Sequence, residues 1–343
     1  MKRPFVRQAR IGIALALSAA SVMALAGCGG DDSADAGSGD SAKQVNLVAF
    51  SVVKSAYDAL GESFAKTSAG DGVTIKSSYG ASGAQSRAVI AGQKADLIVL
   101  SLTPDVTKIV DAGLIDASWD SDANKGIVSD SVVVLAVRPG NPKGIKGWDD
   151  IVKPGVGIVT ADPGTSGSAK WNLLGAYTQA LGDTNDKAAG TAYLKKFIAS
   201  VVSWNDSGRT ATEAFLNGTG DVLISYENEA IAARAAGTQL DYILPDTTFL
   251  IENPAAVSKT ASPAAKDFLT YIKSPEGQAI LGSKGFRPIG DAPAATNVEG
   301  ANDPANPFPA VTKLWTIADL GGWKTVDSEL FDKENGLVTE LRK

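Results

Sequence analysis

The chain has 343 residues, 38 of them acidic and 32 basic, with one cysteine and no histidine. A net charge of −6 without a basic stripe argues against nucleic acid as a partner, and the lack of histidine removes the usual metal ligand and general base together. A single cysteine allows no disulfide within the chain, so a hydrophobic core must carry the fold, and the length suffices for two lobes with a core each.

At the N-terminus, Lys2, Arg3, Arg7 and Arg10 precede an uncharged Ala/Leu-rich stretch from Ile11 to Ala26, the pattern of a secretory signal. That stretch is too short for a comfortable membrane span. It ends in Leu25-Ala26-Gly27-Cys28, which resembles the lipobox of bacterial lipoproteins. The resemblance implies a signal peptide over 1–27 and a lipidated Cys28 as mature N-terminus, with two acyl chains giving stable anchoring on the extracytoplasmic face of the cell membrane. Loss of the four leader cations takes the net charge from −6 to −10. Residues 28–43, mostly Asp, Ser, Gly and Ala, have the composition of a flexible tether.

From Val45 onward, strand-like runs alternate with helical patterns, which predicts an α/β fold with largely parallel sheets. Val45 to Phe50 reads as a strand, followed by a helix with Tyr57, Leu60 and Phe64 on one face. Val73 to Ser78 is a second strand, from which Tyr79-Gly80-Ala81-Ser82-Gly83 opens a helix. Ala95 to Leu102 is a buried strand, after which Thr103-Pro104 starts a helix as N-cap and first residue, with Val106, Ile109 and Val110 inward. Ser131 to Val137 and Gly155 to Thr160 are further strands. The second leads through Asp162-Pro163-Gly164-Thr165-Ser166-Gly167-Ser168 into a helix carrying Trp171, Leu174, Tyr177 and Leu181. Asp221 to Tyr226 is a strand and Glu227 to Ala236 a helix. The recurring unit of strand, Ser/Gly loop and helix, around Ser82 and again around Ser166, predicts two α/β lobes whose helix N-termini face a common cleft.

Helix N-termini expose unpaired N–H groups and the positive end of the dipole, so small anions bind there. Glycine lets the backbone approach closely and serine adds a hydroxyl donor; the same residues also serve as plain caps. Gly164-Thr165-Ser166-Gly167-Ser168 has the outline of a nucleophile elbow, but its fifth residue is Ser168 and no histidine is available. A Ser166–Lys170 hydrolase remains as an enzymatic alternative. No phosphate-binding G-x-x-x-x-G-K-[ST] loop occurs, so this chain is not itself an ATPase. Asp206, Glu227 and Glu229 read as caps or lobe-bridging groups.

Several stretches together resemble the periplasmic sulfate-binding proteins: Ser78-Tyr79-Gly80-Ala81-Ser82-Gly83, Thr165-Ser166-Gly167-Ser168-Ala169-Lys170-Trp171-Asn172, Asn205-Asp206-Ser207-Gly208 and Gly220-Asp221-Val222-Leu223-Ile224-Ser225-Tyr226-Glu227-Asn228-Glu229-Ala230. Gly140-Asn141-Pro142-Lys143, Trp148-Asp149-Asp150, Lys153-Pro154-Gly155-Val156, Ser274-Pro275-Glu276-Gly277-Gln278, Phe286-Arg287-Pro288 and Gly321-Gly322-Trp323 match in the same order.

The resemblance implies a type II periplasmic-binding-protein fold, two lobes each a mostly parallel sheet flanked by helices, that clamps a dehydrated dianion with neutral donors. It places lobe 1 at 45–134 and 249–343 and lobe 2 at 135–248. Carried over by position, the ligand-binding groups are the N–H of Ser51, the hydroxyls of Ser82 and Ser166, the N–H groups of Gly167 and Ser168, an N–H at Gly208 or Arg209, and the side chain of Tyr226. The implied partners are sulfate and the permease of an ABC importer, with the protein a monomer and neither cofactor nor metal required. Ser51, Ser168, Tyr226 and a loop one residue shorter after Gly208 depart from the family pattern. The phenol at 226, where the family has an indole, bears on the choice among sulfate, thiosulfate, molybdate and tungstate. A donor-only site favours sulfate over phosphate, whose P–OH needs an acceptor.

Overall fold

A computed structural model describes residues 43–290 and 292–343; the leader, nearly all of the tether and Cys28 lie outside the described residues. In chain order the elements are β1 (Gln44–Phe50), a 3-10 turn (Ser51–Val53), α1 (Lys54–Phe64), β2 (Thr74–Gly80), α2 (Ser82–Ile90), β3 (Leu97–Val99), α3 (Thr103–Asp111) and β4 (Ile127–Val137). Then come α4 (Trp148–Ile151), β5 (Ile158–Ala161), α5 (Gly167–Thr178), α6 (Lys187–Ala199), β6 (Val201–Asn205), α7 (Gly208–Leu216), β7 (Val222–Tyr226) and α8 (Glu227–Ala235). The chain continues through β8 (Asp241–Ile243), β9 (Thr247–Val257), α9 (Pro263–Lys273), α10 (Pro275–Ser283), β10 (Lys313–Trp315), α11 (Trp323–Val326) and α12 (Leu337–Leu341).

The main strand order is β2-β1-β3-β9-β4-β7-β5-β6, with β10 on β9 and β8 on β4. Two trios are parallel, β2-β1-β3 and β7-β5-β6. The long strands β4 and β9 run antiparallel to each other and to the trios they join. Ile127 to Val132 of β4 pairs with β9, while Val133 to Val137 pairs with β7; β9 in turn gives Ala255 to Val257 to β3. Each long strand therefore belongs to one trio at one end and reaches the other trio through its partner. The predicted parallel sheets are present, with antiparallel pairing confined to β4, β8 and β9 among these trios' neighbours.

Burial explains the elements. Val132 to Val137 are buried on both faces, the continuous apolar run of a covered strand. Tyr57, Leu60 and Phe64 are buried as the helical spacing of α1 requires. Helix α5 is buried on every side, with Trp171, Leu173, Leu174, Ala176 and Tyr177 all inside, so it is a central post rather than an amphipathic cover. Truncating such a buried aromatic costs about 3–5 kcal/mol. Thr103 is the first residue of α3, and Leu102, not Thr103, occupies the N-cap.

The C-terminal segment packs on the middle of the chain. Lys313 pairs with Asp183, Lys170 with Asp327, Lys187 with Glu329 and Arg342 with Asp162. Trp323 meets Trp171 edge-on at 5.0 Å, and Val298 and Ala301 join the cluster of Val134, Leu223 and Ile231. These ion pairs and the Trp323–Trp171 contact run to residues 162–187, while Lys313 to Trp315 pair with Thr247 to Phe249 of β9. No helix among the described residues is long and apolar enough to cross a membrane.

Candidate functional site

Six loops at the C-terminal ends of β1, β2, β3, β5, β6 and β7 each lead directly into a helical turn, the position where open α/β sheets bind ligands. Ser51 opens the 3-10 turn after β1, Ser82 is the first residue of α2, Ser166 is the N-cap of α5, Gly208 starts α7 and Tyr226 is the N-cap of α8. The predicted site residues thus occupy equivalent places on separate strands.

Contacts between them show that they converge. The Gly83 N–H donates to the Thr165 carbonyl at 3.1 Å, joining the α2 and α5 loops main chain to main chain. A Cβ on Gly167 would stand 2.5 Å from Ser101 Oγ and 2.9 Å from Leu102 Cγ, so only glycine lets α5 come this close to the end of β3. A Cβ on Gly208 would stand 2.7 Å from Ser168 Oγ and 3.0 Å from Val52 Cγ2. The start of α7 therefore touches both α5 and the turn that begins at Ser51. Ser82, Ser101, Ser166, Ser168 and Tyr226 are all 4 % exposed or less.

Ser101 is the hub, and sequence patterning reads it only as the end of a buried strand. Its Oγ lies 2.7 Å from Tyr226 Oη, its carbonyl accepts from Trp171 Nε1 at 3.0 Å, and its N–H donates to Ser82 Oγ at 3.1 Å. The available signal was the serine between Leu100 and Leu102, ahead of a proline-started helix. Trp171, placed by spacing in the core, also orients this hub. Burial holds the Tyr226 phenol well above its ordinary pKa, with the Ser101 and Ser168 hydroxyls pulling the other way, so it stays a neutral O–H donor.

The two Ser/Gly loops differ in what they leave free. Ser82 Oγ donates to Asp105 Oδ2 at 2.7 Å, so its proton is committed inside the protein; the Asp105 carboxylate also meets Lys108 at 2.9 Å. The N–H groups of Gly167, Ser168, Gly208 and Arg209 make no hydrogen bond within the protein among the described residues. Thr210 closes a capping box with Ser207, which fixes the start of α7. Four neutral donors at the starts of α5 and α7 thus lie beside the Ser166, Ser168 and Tyr226 hydroxyls.

Charged groups stand behind this surface. The Arg209 guanidinium is 3.2 Å from the buried Glu229 carboxylate, whose pKa burial raises and Arg209 lowers. Glu227 takes two bonds from Arg287, at 2.7 and 3.0 Å. Lys170 is ion-paired to Asp327 and lies 4.9 Å over the Phe331 ring. Among the described residues no group of three or more His, Cys, Asp or Glu side chains is placed to hold a metal.

The family profile of the bacterial extracellular solute-binding proteins matches residues 45–287. A sulfate-binding protein of Synechococcus elongatus is 38% identical, covering 96% of this chain and 95% of its own length. A thiosulfate-binding protein of Pseudomonas aeruginosa is 30% identical over 86% of this chain and 91% of its own. Among solved structures, the sulfate-binding protein SubI of Mycobacterium tuberculosis superposes with a TM-score of 0.79 at 44% identity, covering 84% of this chain and all of its own. The fold is that of the type II periplasmic binding proteins.

Proposed function

We infer what the protein does from its kin, since the chain belongs to the bacterial extracellular solute-binding proteins, and we propose that it captures sulfate and delivers it to the permease of an ABC importer. The observation that carries this reading is the set of free N–H groups at Gly167, Ser168, Gly208 and Arg209 beside neutral hydroxyls. Hydrogen bonds to a charged guest contribute about 1.5–3 kcal/mol each. Four or five such bonds give about 6–15 kcal/mol, a range that includes the roughly 8 kcal/mol of micromolar binding.

Sulfate fits this donor set because it needs no acceptor. The carboxylate bonded to the Ser82 hydroxyl, Asp105, is already filled by Ser82 and Lys108, and Glu229 lies behind the site against the Arg209 guanidinium, so neither is offered to the P–OH of a hydrogen phosphate. The Ser82 contribution is its backbone, with its hydroxyl serving Asp105. The two parallel trios act as lobes joined by β4 and β9, the segment from Lys313 moving with the second, and closure brings α2 against α5. Cys28 carries the lipid anchor, on the outer side of the membrane, and the protein works as a monomer.

Calorimetric titration of the purified protein with sodium sulfate tests this: micromolar heat and thermal stabilisation are expected, and the absence of both rejects the assignment. Thiosulfate is the second reading, favoured by the thiosulfate-binding relative and by the phenol rather than indole at 226; competition titration ranks the two, with molybdate and tungstate as larger tests of the same pocket. A serine-directed fluorophosphonate should leave Ser166 unlabelled, and labelling would revive a Ser166–Lys170 hydrolase.

A further inference from the structure

Beside the α2–α5 junction lies a cavity of about 380 Å³ whose lining includes Arg87, Lys108, Lys170, Lys333 and Arg342, together with Gly83, Ser166 and Gly167. Five cations around one cavity stand out in a chain whose net charge is −6. Three of them have carboxylate partners, Lys108 with Asp105, Lys170 with Asp327 and Arg342 with Asp162. Among the described residues, Arg87 and Lys333 have none. The cavity therefore keeps two uncompensated positive charges at the edge of an otherwise neutral site. The Arg87 guanidinium lies at the start of α2, with Nη1 3.4 Å from where a Gly83 Cβ would stand, and Lys333 reaches the cavity from the C-terminal segment.

We propose that this cavity is an outer anion-binding site that receives a hydrated oxyanion dianion before it enters the neutral donor cluster. The inference rests on the reading of the inner site as an oxyanion site. Its volume holds a tetrahedral anion with several waters, each of which takes about 30 Å³, whereas the inner residues are too tightly packed for a hydrated guest. Positive charge in a low-dielectric cleft raises the local anion concentration and the rate of encounter. Exposed cations bind weakly in water because salt screens them, so the outer site loads and releases quickly. The inner site supplies the hold through uncharged donors. Capture then runs in two stages, in which charge recruits the anion while it keeps its water, and neutral N–H groups replace that water afterwards.

The test uses the full chain and an Arg87→Gln/Lys333→Gln double variant. Tryptophan emission after stopped-flow mixing with sodium sulfate reads the association rate at low and high ionic strength. Amide NMR signals of Gly164, Lys333 and Thr339 are followed in the same titration, against sodium chloride of matched ionic strength. The expected result is an association rate about fivefold or more lower in the variant at low ionic strength, with little remaining salt dependence, a dissociation rate within about twofold, and loss of a weak, sulfate-specific shift at Lys333 and Thr339. An unchanged association rate, or shifts that chloride reproduces, overturns the outer site. Should sulfate leave the signals around Ser101 and Tyr226 unmoved, the inner-site reading is what fails. The sulfate-specific shift at Lys333 then decides the outer site alone, supporting it if present and rejecting it if absent.

Discussion

The loops at Ser82 and Ser166 look alike as sequence, each a strand, a Ser/Gly turn and a helix, yet they do different work. At the first, the hydroxyl is spent on Asp105 and the Gly83 N–H on Thr165. At the second, the Gly167 and Ser168 N–H groups are free and Gly167 permits contact with Ser101. One loop is fastened and the other is open. A helix start therefore becomes a binding element only when its donors have not already found partners in the protein.

The largest expected effect falls on the open loop. Gly167→Ala places a methyl 2.5 Å from Ser101 Oγ; overpacking of this kind costs about 1–3 kcal/mol, so sulfate affinity by calorimetry should drop about 10- to 100-fold. Unchanged affinity would break the claim that α5 must reach β3. At the fastened loop, Ser82→Ala removes a donor from the buried Asp105 and an acceptor from Ser101 N–H. Chemical denaturation should show a loss of about 1–3 kcal/mol, with sulfate affinity falling less than for the open-loop variants. Ser166→Ala should do the reverse, weakening sulfate about tenfold while leaving the denaturation midpoint nearly unmoved. If the two serine variants exchange these phenotypes, the division between the loops is wrong.

A smaller effect concerns the strands that join the trios. Asp130 on β4 sits opposite Glu252 on β9. Burial first and Glu252 second push its pKa up to about 8, against the pull of Arg287. An acid whose folded pKa is raised stabilises the fold while protonated, so stability should decline as pH rises from about 4 to about 8. Asp130→Asn should flatten that decline in thermal melts and gain about 1 kcal/mol at the alkaline end. At the bottom of the range, Lys54→Ala breaks an exposed pair with Asp58 and should change stability by less than about 0.5 kcal/mol.

Much of this was legible in the chain. Apolar spacing located α1 through Tyr57, Leu60 and Phe64, and the Ser/Gly turns marked both loops. Ser101 escaped because one polar residue at the end of an apolar strand carries no local pattern; its importance arises from Trp171, Tyr226 and Ser82 arriving from distant parts of the chain. Strand β6 is exposed or half-buried throughout, so its residues lack the alternation that betrays a covered strand. The seat of the C-terminal segment depends on ion pairs such as Lys170 with Asp327, which no periodicity encodes. Position 82 shows the same limit at the scale of one atom: residue type identifies a hydroxyl, but only tertiary contacts reveal where its proton goes.

The bond from Gly83 to Thr165 is made of peptide groups alone. A Cβ at position 83 would stand 2.9 Å from the Thr165 carbonyl oxygen, so the latch asks for glycine at that one position, while on the Thr165 side it uses only a carbonyl that any residue supplies.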